Sequence, residues 1–152
     1  MVKSEKDDLN NPFDLNRFIS AQEEVYDCVL KELKNGKKQS HWMWYIFPQL
    51  DGLAQSTTSK YYAIKSREEA LAYLDHPVLG SRLNECANMV LDIKGKKVSD
   101  IFGYPDDLKL KSSMTLFSEV AIDSAFVRVL DKYFQGERDP KTLQLIKENT
   151  ND

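Results

Sequence analysis

Apolar side chains recur every third or fourth residue along nearly the whole chain, and prolines and glycines cut that pattern into short stretches. Such spacing puts apolar residues on one face of an α-helix, whereas a half-buried strand needs strict alternation, of which there is little. Phe13, Phe18 and Ile19 open the first stripe. It continues through Val25, Tyr26, Val29, Leu30 and Leu33, and Gln22-Glu23 divides it into two helices. Asn11-Pro12 reads as a cap followed by proline in a first turn, and Gly36 as a left-handed stop behind Lys31 and Lys34.

Downstream, Ser66-Arg67-Glu68-Glu69 is a capping box for a helix that stops near His76-Pro77. Val78, Leu79, Leu83, Ala87, Val90 and Leu91 mark another helix, ended by Gly95. Ser99 is placed to cap a short turn ending at Gly103, and Pro105-Asp106-Asp107 starts a helix running through Met114 and Phe117 to Val120. Asp123 is the expected cap of the next helix, and Asp139-Pro140 opens the last, with Leu143, Leu145 and Ile146. Tyr61 to Ile64 is open to a short extended reading. The class predicted is mainly α: a compact single-domain array of about seven short helices with little or no sheet. It spans residues 12–148, between solvated tails at 1–11 and 149–152. Segments this short and unequal do not make an up-down bundle.

At 152 residues, 41% hydrophobic and 30% charged, the chain fits one globular domain. A net charge of −3 argues against bulk nucleic-acid binding, though not against a local basic patch. Cys28 and Cys86 both fall on amphipathic stretches and read as buried free thiols, with no CxxC spacing. His41 and His76 share no metal-ligand spacing, so neither a metal nor a cofactor is expected. Met1 to Asn11 lacks an apolar signal core, and no run has the length of a membrane span; the expected location is the cytosol.

Both tryptophans and one histidine sit in Ser40-His41-Trp42-Met43-Trp44-Tyr45-Ile46-Phe47-Pro48-Gln49. Were Ser40 to Phe47 helical, Trp42, Ile46 and Gln49 would share a face and Trp44 would point away from Trp42. The block is then either the centre of the core or the wall of a pocket. In the pocket reading Trp42 or Trp44 stacks a planar ring and Ser40 caps the helix, offering amides to an anion. His41, near neutral in its reference pKa, is the proton-moving candidate, and His76 before Pro77 reads as structural.

A second motif, Lys109-Leu110-Lys111-Ser112-Ser113-Met114-Thr115-Leu116-Phe117, packs two ammonium groups and three hydroxyls into two turns. These are donors suited to phosphate oxygens. The alternative is a solvated face with its lysines paired to Asp106 and Asp107. Lys31, Lys34, Lys37 and Lys38 add a basic rim before the aromatics. No Gly-rich phosphate loop and no GxSxG elbow occurs.

Taken with Tyr62-Ala63-Ile64, His76-Pro77-Val78-Leu79-Gly80 and Ile101-Phe102-Gly103-Tyr104-Pro105-Asp106-Asp107, these strings resemble the domain of unknown function family 1810. The resemblance runs from about Phe13 to Ile146 and implies a mainly helical fold with no established activity. The label calpastatin, sometimes attached to that family, does not suit a short, non-repetitive chain rich in core residues. A remoter similarity, to the NADAR superfamily, implies NAD or ADP-ribose chemistry. Those domains carry a Glu-His-aromatic string, but Ser40 precedes His41 here, so no catalytic residue transfers.

Two functional readings follow. In one, the protein is an enzyme or sensor for a phosphorylated, ring-containing small molecule such as a nucleotide or ADP-ribose, with glycosidase or other hydrolase chemistry if it is an enzyme. His41 would move the proton. Ser40, Trp42, Trp44, Gln49, Lys109, Lys111, Ser112, Ser113 and Thr115 would hold the ligand between the two motifs. In the other, it is a non-catalytic protein-interaction domain whose aromatic block is core.

Overall fold

The computed structural model describes residues 12–150. The expected N-terminal tail, residues 1–11, and the end of the expected C-terminal tail, residues 151–152, lie outside the described residues. Ten helices occur among the described residues: α1 Asn16–Glu23, α2 Tyr26–Lys34, α3 Met43–Ile46, α4 Thr57–Tyr62, α5 Arg67–Asp75, α6 Leu79–Asp92, α7 Val98–Phe102, α8 Asp106–Val120, α9 Ala125–Phe134 and α10 Pro140–Thr150. The fold is all-helical, as the periodicity predicts. The helices outnumber the expected seven because α3, α4 and α7 are too short to display a stripe. The proposed extended piece is not a strand: Tyr61 and Tyr62 close α4, and Ile64 makes an isolated parallel bridge to Leu50. At the C-terminal end α10 runs on to Thr150, past the start of the expected tail.

Helix α8 is the axis of the molecule, packed by α5, α7, α9 and α10, while α6 packs against α2, α5 and α9. It is buried nearly all round from Leu110 to Ser118, and that explains its hydroxyls. Ser112 Oγ donates to Leu108 O at 3.2 Å, Thr115 Oγ1 to Lys111 O at 2.7 Å and Ser118 Oγ to Thr115 O at 2.8 Å. Small residues let neighbouring helices close in, and bonding three of these hydroxyls back to their own helix leaves Ser113 Oγ as the one buried hydroxyl of α8 without a partner among the described residues. The aromatic core surrounds this axis. Phe18 meets Tyr73 edge-on at 5.1 Å, and Phe117 lies between Tyr73 and Phe126.

Capping follows the sequence at some ends and departs from it at others. Ser66 Oγ accepts from the Glu69 amide at 3.1 Å. Glu69, however, takes the Lys65 amide rather than that of Ser66 and pairs with buried Arg17 at 2.7 Å. Arg17 also donates to the carbonyls of Phe13, Asp14, Tyr61 and Ala63, locking α1 to the α4–α5 connection. His76 Nδ1 accepts from the amides of Val78 and Leu79, a structural role as expected. Asp123 does not cap α9: Ser124 holds that position, its hydroxyl turned to Ala121 O. Ser99 is not a cap either but lies inside α7, whose first turn is closed by Asp100 accepting the Lys97 amide at 3.1 Å. Cys86 is buried, but Cys28 is exposed, which corrects the expectation of two buried thiols.

Candidate functional site

The aromatic segment hangs on a carboxylate. Glu32, on the inner side of α2, is buried and accepts five hydrogen bonds. Oε1 takes the amides of Gln39 (2.7 Å) and Ser40 (3.0 Å) and the Trp42 indole N–H (2.9 Å). Oε2 takes the hydroxyl of Ser40 (2.5 Å) and the thiol of Cys28 (3.1 Å). Burial alone would raise its pKa; the Ser40 hydroxyl, the two amides and the thiol outweigh burial and bring it down to about 2. Glu32 is therefore a fixed anion around which residues 39–42 are wound.

This arrangement revises the picture of an eight-residue aromatic helix. Only Met43 to Ile46 are helical, Trp42 takes the N-cap position, and Ser40 is spent on Glu32 instead of capping a helix. With Met43, Ile46 and Phe47, Trp42 belongs to the core, at 1% exposure. A ring that buried, its N–H already bonded to Glu32, has no face for a ligand. The predicted stacking role is thereby removed from Trp42 and left to Trp44, which is half-buried. His41 is exposed. Its backbone carbonyl accepts from Tyr45 Oη at 3.2 Å, and its ring has no hydrogen-bond partner among the described residues.

The two motifs meet. Lys109 Nζ lies 4.1 Å from the centre of the Trp44 ring and 3.1 Å from Asp106 Oδ1. The same carboxylate holds Lys38 Nζ at 2.7 Å through Oδ2. Lys38, its side chain 6% exposed, also donates to Ser40 O at 2.6 Å and lies 5.0 Å from the Trp42 ring. Asp106 thus bridges two lysine–indole pairs. Burial pushes its pKa up, but the two ammonium groups hold it below the usual carboxylate range. Trp44 and Gln49 also line a narrow recess with Leu53 and Tyr62, whose free volume is about 10 Å³, space for one water.

The rest of the second motif is elsewhere. Lys111 sits two residues from Lys109, so it leaves α8 on the opposite side, 4.0 Å from Glu137 and facing the Phe134 ring. Ser112, Ser113 and Thr115 are buried. Thr115 Oγ1, besides its bond to Lys111 O, accepts the Asp139 amide at 2.9 Å, joining α8 to the start of α10. Sealed among helices, these hydroxyls do not reach a surface ligand, which corrects the expectation that they hold phosphate beside Lys109. The structure brings together Trp44, Lys109, Lys38 and Asp106, and keeps Lys111 and the hydroxyls apart from them.

Glu32 carries no motif, and sequence reasoning missed it; Asp106 was expected only as a surface partner of the lysines that follow it, and it does pair with Lys109 at 3.1 Å. One signal was present: Glu32 lies three residues after Val29 and next to Leu33, on the apolar side of its own stripe. An acid there needs internal donors. The Lys38–Asp106 pair joins residues far apart in sequence, and no local pattern announces it.

A family profile described as "Protein of unknown function (DUF1810)" matches residues 12–146. Among solved structures, the crystal structure of the conserved hypothetical protein Rv1873 from Mycobacterium tuberculosis is similar, with 50% identity and a TM-score of 0.88. The match covers 90% of this chain and 98% of that one. No curated protein matches.

Proposed function

The chain belongs to this family of unknown function, and from that premise we propose that it binds a small molecule carrying a planar ring and a phosphate, of the nucleotide or ADP-ribose type, at Trp44 and Lys109. The supporting observation is the ammonium of Lys109 resting on the Trp44 ring at 4.1 Å, a cation and a π-face from two different motifs in one place. On binding, the ligand ring replaces the ammonium on the indole, and Lys109 turns to the ligand phosphate. Lys38, held by Asp106 and Ser40 O, keeps the surrounding wall in place. Gln49, lining the recess beside Trp44, is positioned to read a polar edge of the ring. His41, exposed and with no hydrogen-bond partner for its ring among the described residues, is the group for proton transfer if the ligand is turned over.

Tryptophan fluorescence tests this reading directly, since Trp42 is buried and Trp44 is half-exposed. Titration with ADP-ribose or AMP should quench part of the emission saturably. Trp44→Phe should abolish that quenching, and Lys109→Ala should weaken binding about tenfold, the loss of one charged hydrogen bond. His41→Ala should leave binding intact and lower any hydrolysis of the ligand. Quenching that persists in Trp44→Phe, or no saturable response to either compound, rejects the proposal. The second reading, a protein-interaction surface, draws on Tyr104 at 81% exposure and Leu108 one turn away at the start of α8. Its signature is a copurifying partner lost in Leu108→Asp, with no response to nucleotides.

A further inference from the structure

Away from Trp44, the ends of four helices converge on an open cleft of about 480 Å³. Its walls come from the connection between α6 and α7 (Lys96, Lys97), α7 (Ser99), the first turn of α8 (Asp107) and the end of α9 (Lys132, Gln135). The volume lies within the range of small-molecule sites. On a chain whose net charge is −3, three lysines lining one cleft stand out against the overall balance.

Two of these lysines are already held in place. Lys132 Nζ donates to Leu91 O and Ile93 O, both at 2.6 Å, at the end of α6. Lys96 Nζ donates to Gly36 O at 2.9 Å, just past α2. An ammonium has three N–H donors, so Lys132 keeps one and Lys96 keeps two. Their side chains are positioned by these carbonyls, so a ligand does not have to order them. Lys97 Nζ has no partner among the described residues. Asp107, on the cleft wall, accepts the Leu108 amide at 2.9 Å and sets one negative charge against the three lysines; Asp100, which accepts the Lys97 amide at 3.1 Å, is not among the lining residues. Ser99 and Gln135, both exposed, add neutral donors to the lining.

We infer that this cleft is a second binding site, separate from the Trp44 face, for a small phosphorylated molecule bearing two or more negative charges. Several fixed ammonium groups suit a multiply charged phosphate better than a single carboxylate, because each lysine acts as a point charge and meets a different oxygen. The rival account is that Lys96 and Lys132 only close helix C-termini.

Inorganic tripolyphosphate is the probe. Calorimetric titration of the whole chain should show saturable binding, and the amide resonances of Lys97, Ser99 and Gln135 should shift with it. Lys97→Ala keeps the backbone amide that Asp100 accepts at the start of α7, removes only the side chain, and should weaken binding about tenfold. Lys96→Ala and Lys132→Met should do the same or more, each read at a temperature where circular dichroism shows the variant folded. Lys141→Ala, on α10, should bind like the parent. Binding unchanged in Lys97→Ala and Lys96→Ala overturns the inference, as do resonance shifts reproduced by sodium chloride at matched ionic strength. The Trp44 titration is unaffected by either result, so the two sites stand or fall separately.

Discussion

Glu32 has one carboxylate and five donors aimed at it from four residues, so its charge organises more structure than any other side chain near the site. Glu32→Gln keeps the shape but replaces one acceptor oxygen with a donor, which must then face at least one N–H or O–H. The expected loss at neutral pH is about 3 kcal/mol, read as a fall in the urea midpoint, with Trp42 emission moving to the red as residues 39–42 loosen. The buried hydroxyls of α8 make a matched pair. Ser113 Oγ has no hydrogen-bond partner among the described residues. Ser113→Ala removes an unsatisfied polar atom and should leave the melting temperature unchanged or raise it. Thr115→Val loses both its bonds and orphans the Asp139 amide, so it should cost about 1–3 kcal/mol. The two thiols also differ. Burial drives the Cys86 pKa up to about 12, while Cys28 is exposed. A thiol-reactive dye should therefore label one cysteine in the native protein and both in guanidinium.

Between elements, one close approach is where α5 ends and α6 begins. A Cβ on Gly80 would lie 2.0 Å from the Leu74 carbonyl oxygen, a backbone atom that cannot rotate aside. Gly80→Ala must push the two helices apart, and the expected destabilisation is about 1–3 kcal/mol, the range for overpacking. Urea denaturation measures it; a neutral Gly80→Ala would mean that the α5–α6 corner gives way freely. The same corner is fixed by His76 Nδ1 accepting two amides at the start of α6. Protonating that nitrogen removes the acceptor, so this corner is the acid-sensitive joint of the helical array.

For the whole molecule, the titrating groups predict a two-stage response to acid. Burial lowers the His76 pKa below its ordinary 6.5, so its contribution to stability is complete above pH 6.5 and declines as the pH falls below that. Glu32, at about 2 against an ordinary 4.5, contributes fully above pH 4.5, and that contribution is lost between 4.5 and 2. Asp106, also lowered, weakens over the same acid range. Unfolding free energy measured against pH should therefore decline gently below 6.5 and steeply below 4.5. Glu32→Gln should flatten the steep part and leave the gentle one. A parent profile flat between pH 4.5 and 2 would contradict the role assigned to the carboxylate.

Helix type and most helix ends were legible in the residues, because both depend on local chemistry. Three- and four-residue spacing, Pro105 before two acids, Asp139-Pro140 and a glycine at the stop after α2 each act within a turn or two of chain. The family was legible too, since its motifs are contiguous strings. What the spacing did not disclose was which of two adjacent indoles is sealed, or that a glutamate ten residues before Trp42 takes its N–H. Nor did it disclose that Lys109 and Lys111 face different parts of the molecule, or that the hydroxyls between them serve helix packing. Those outcomes come from how α2, α3 and α8 dock. Burial and charge pairing are properties of side chains far apart in sequence, and only the folded chain sets the distance between them.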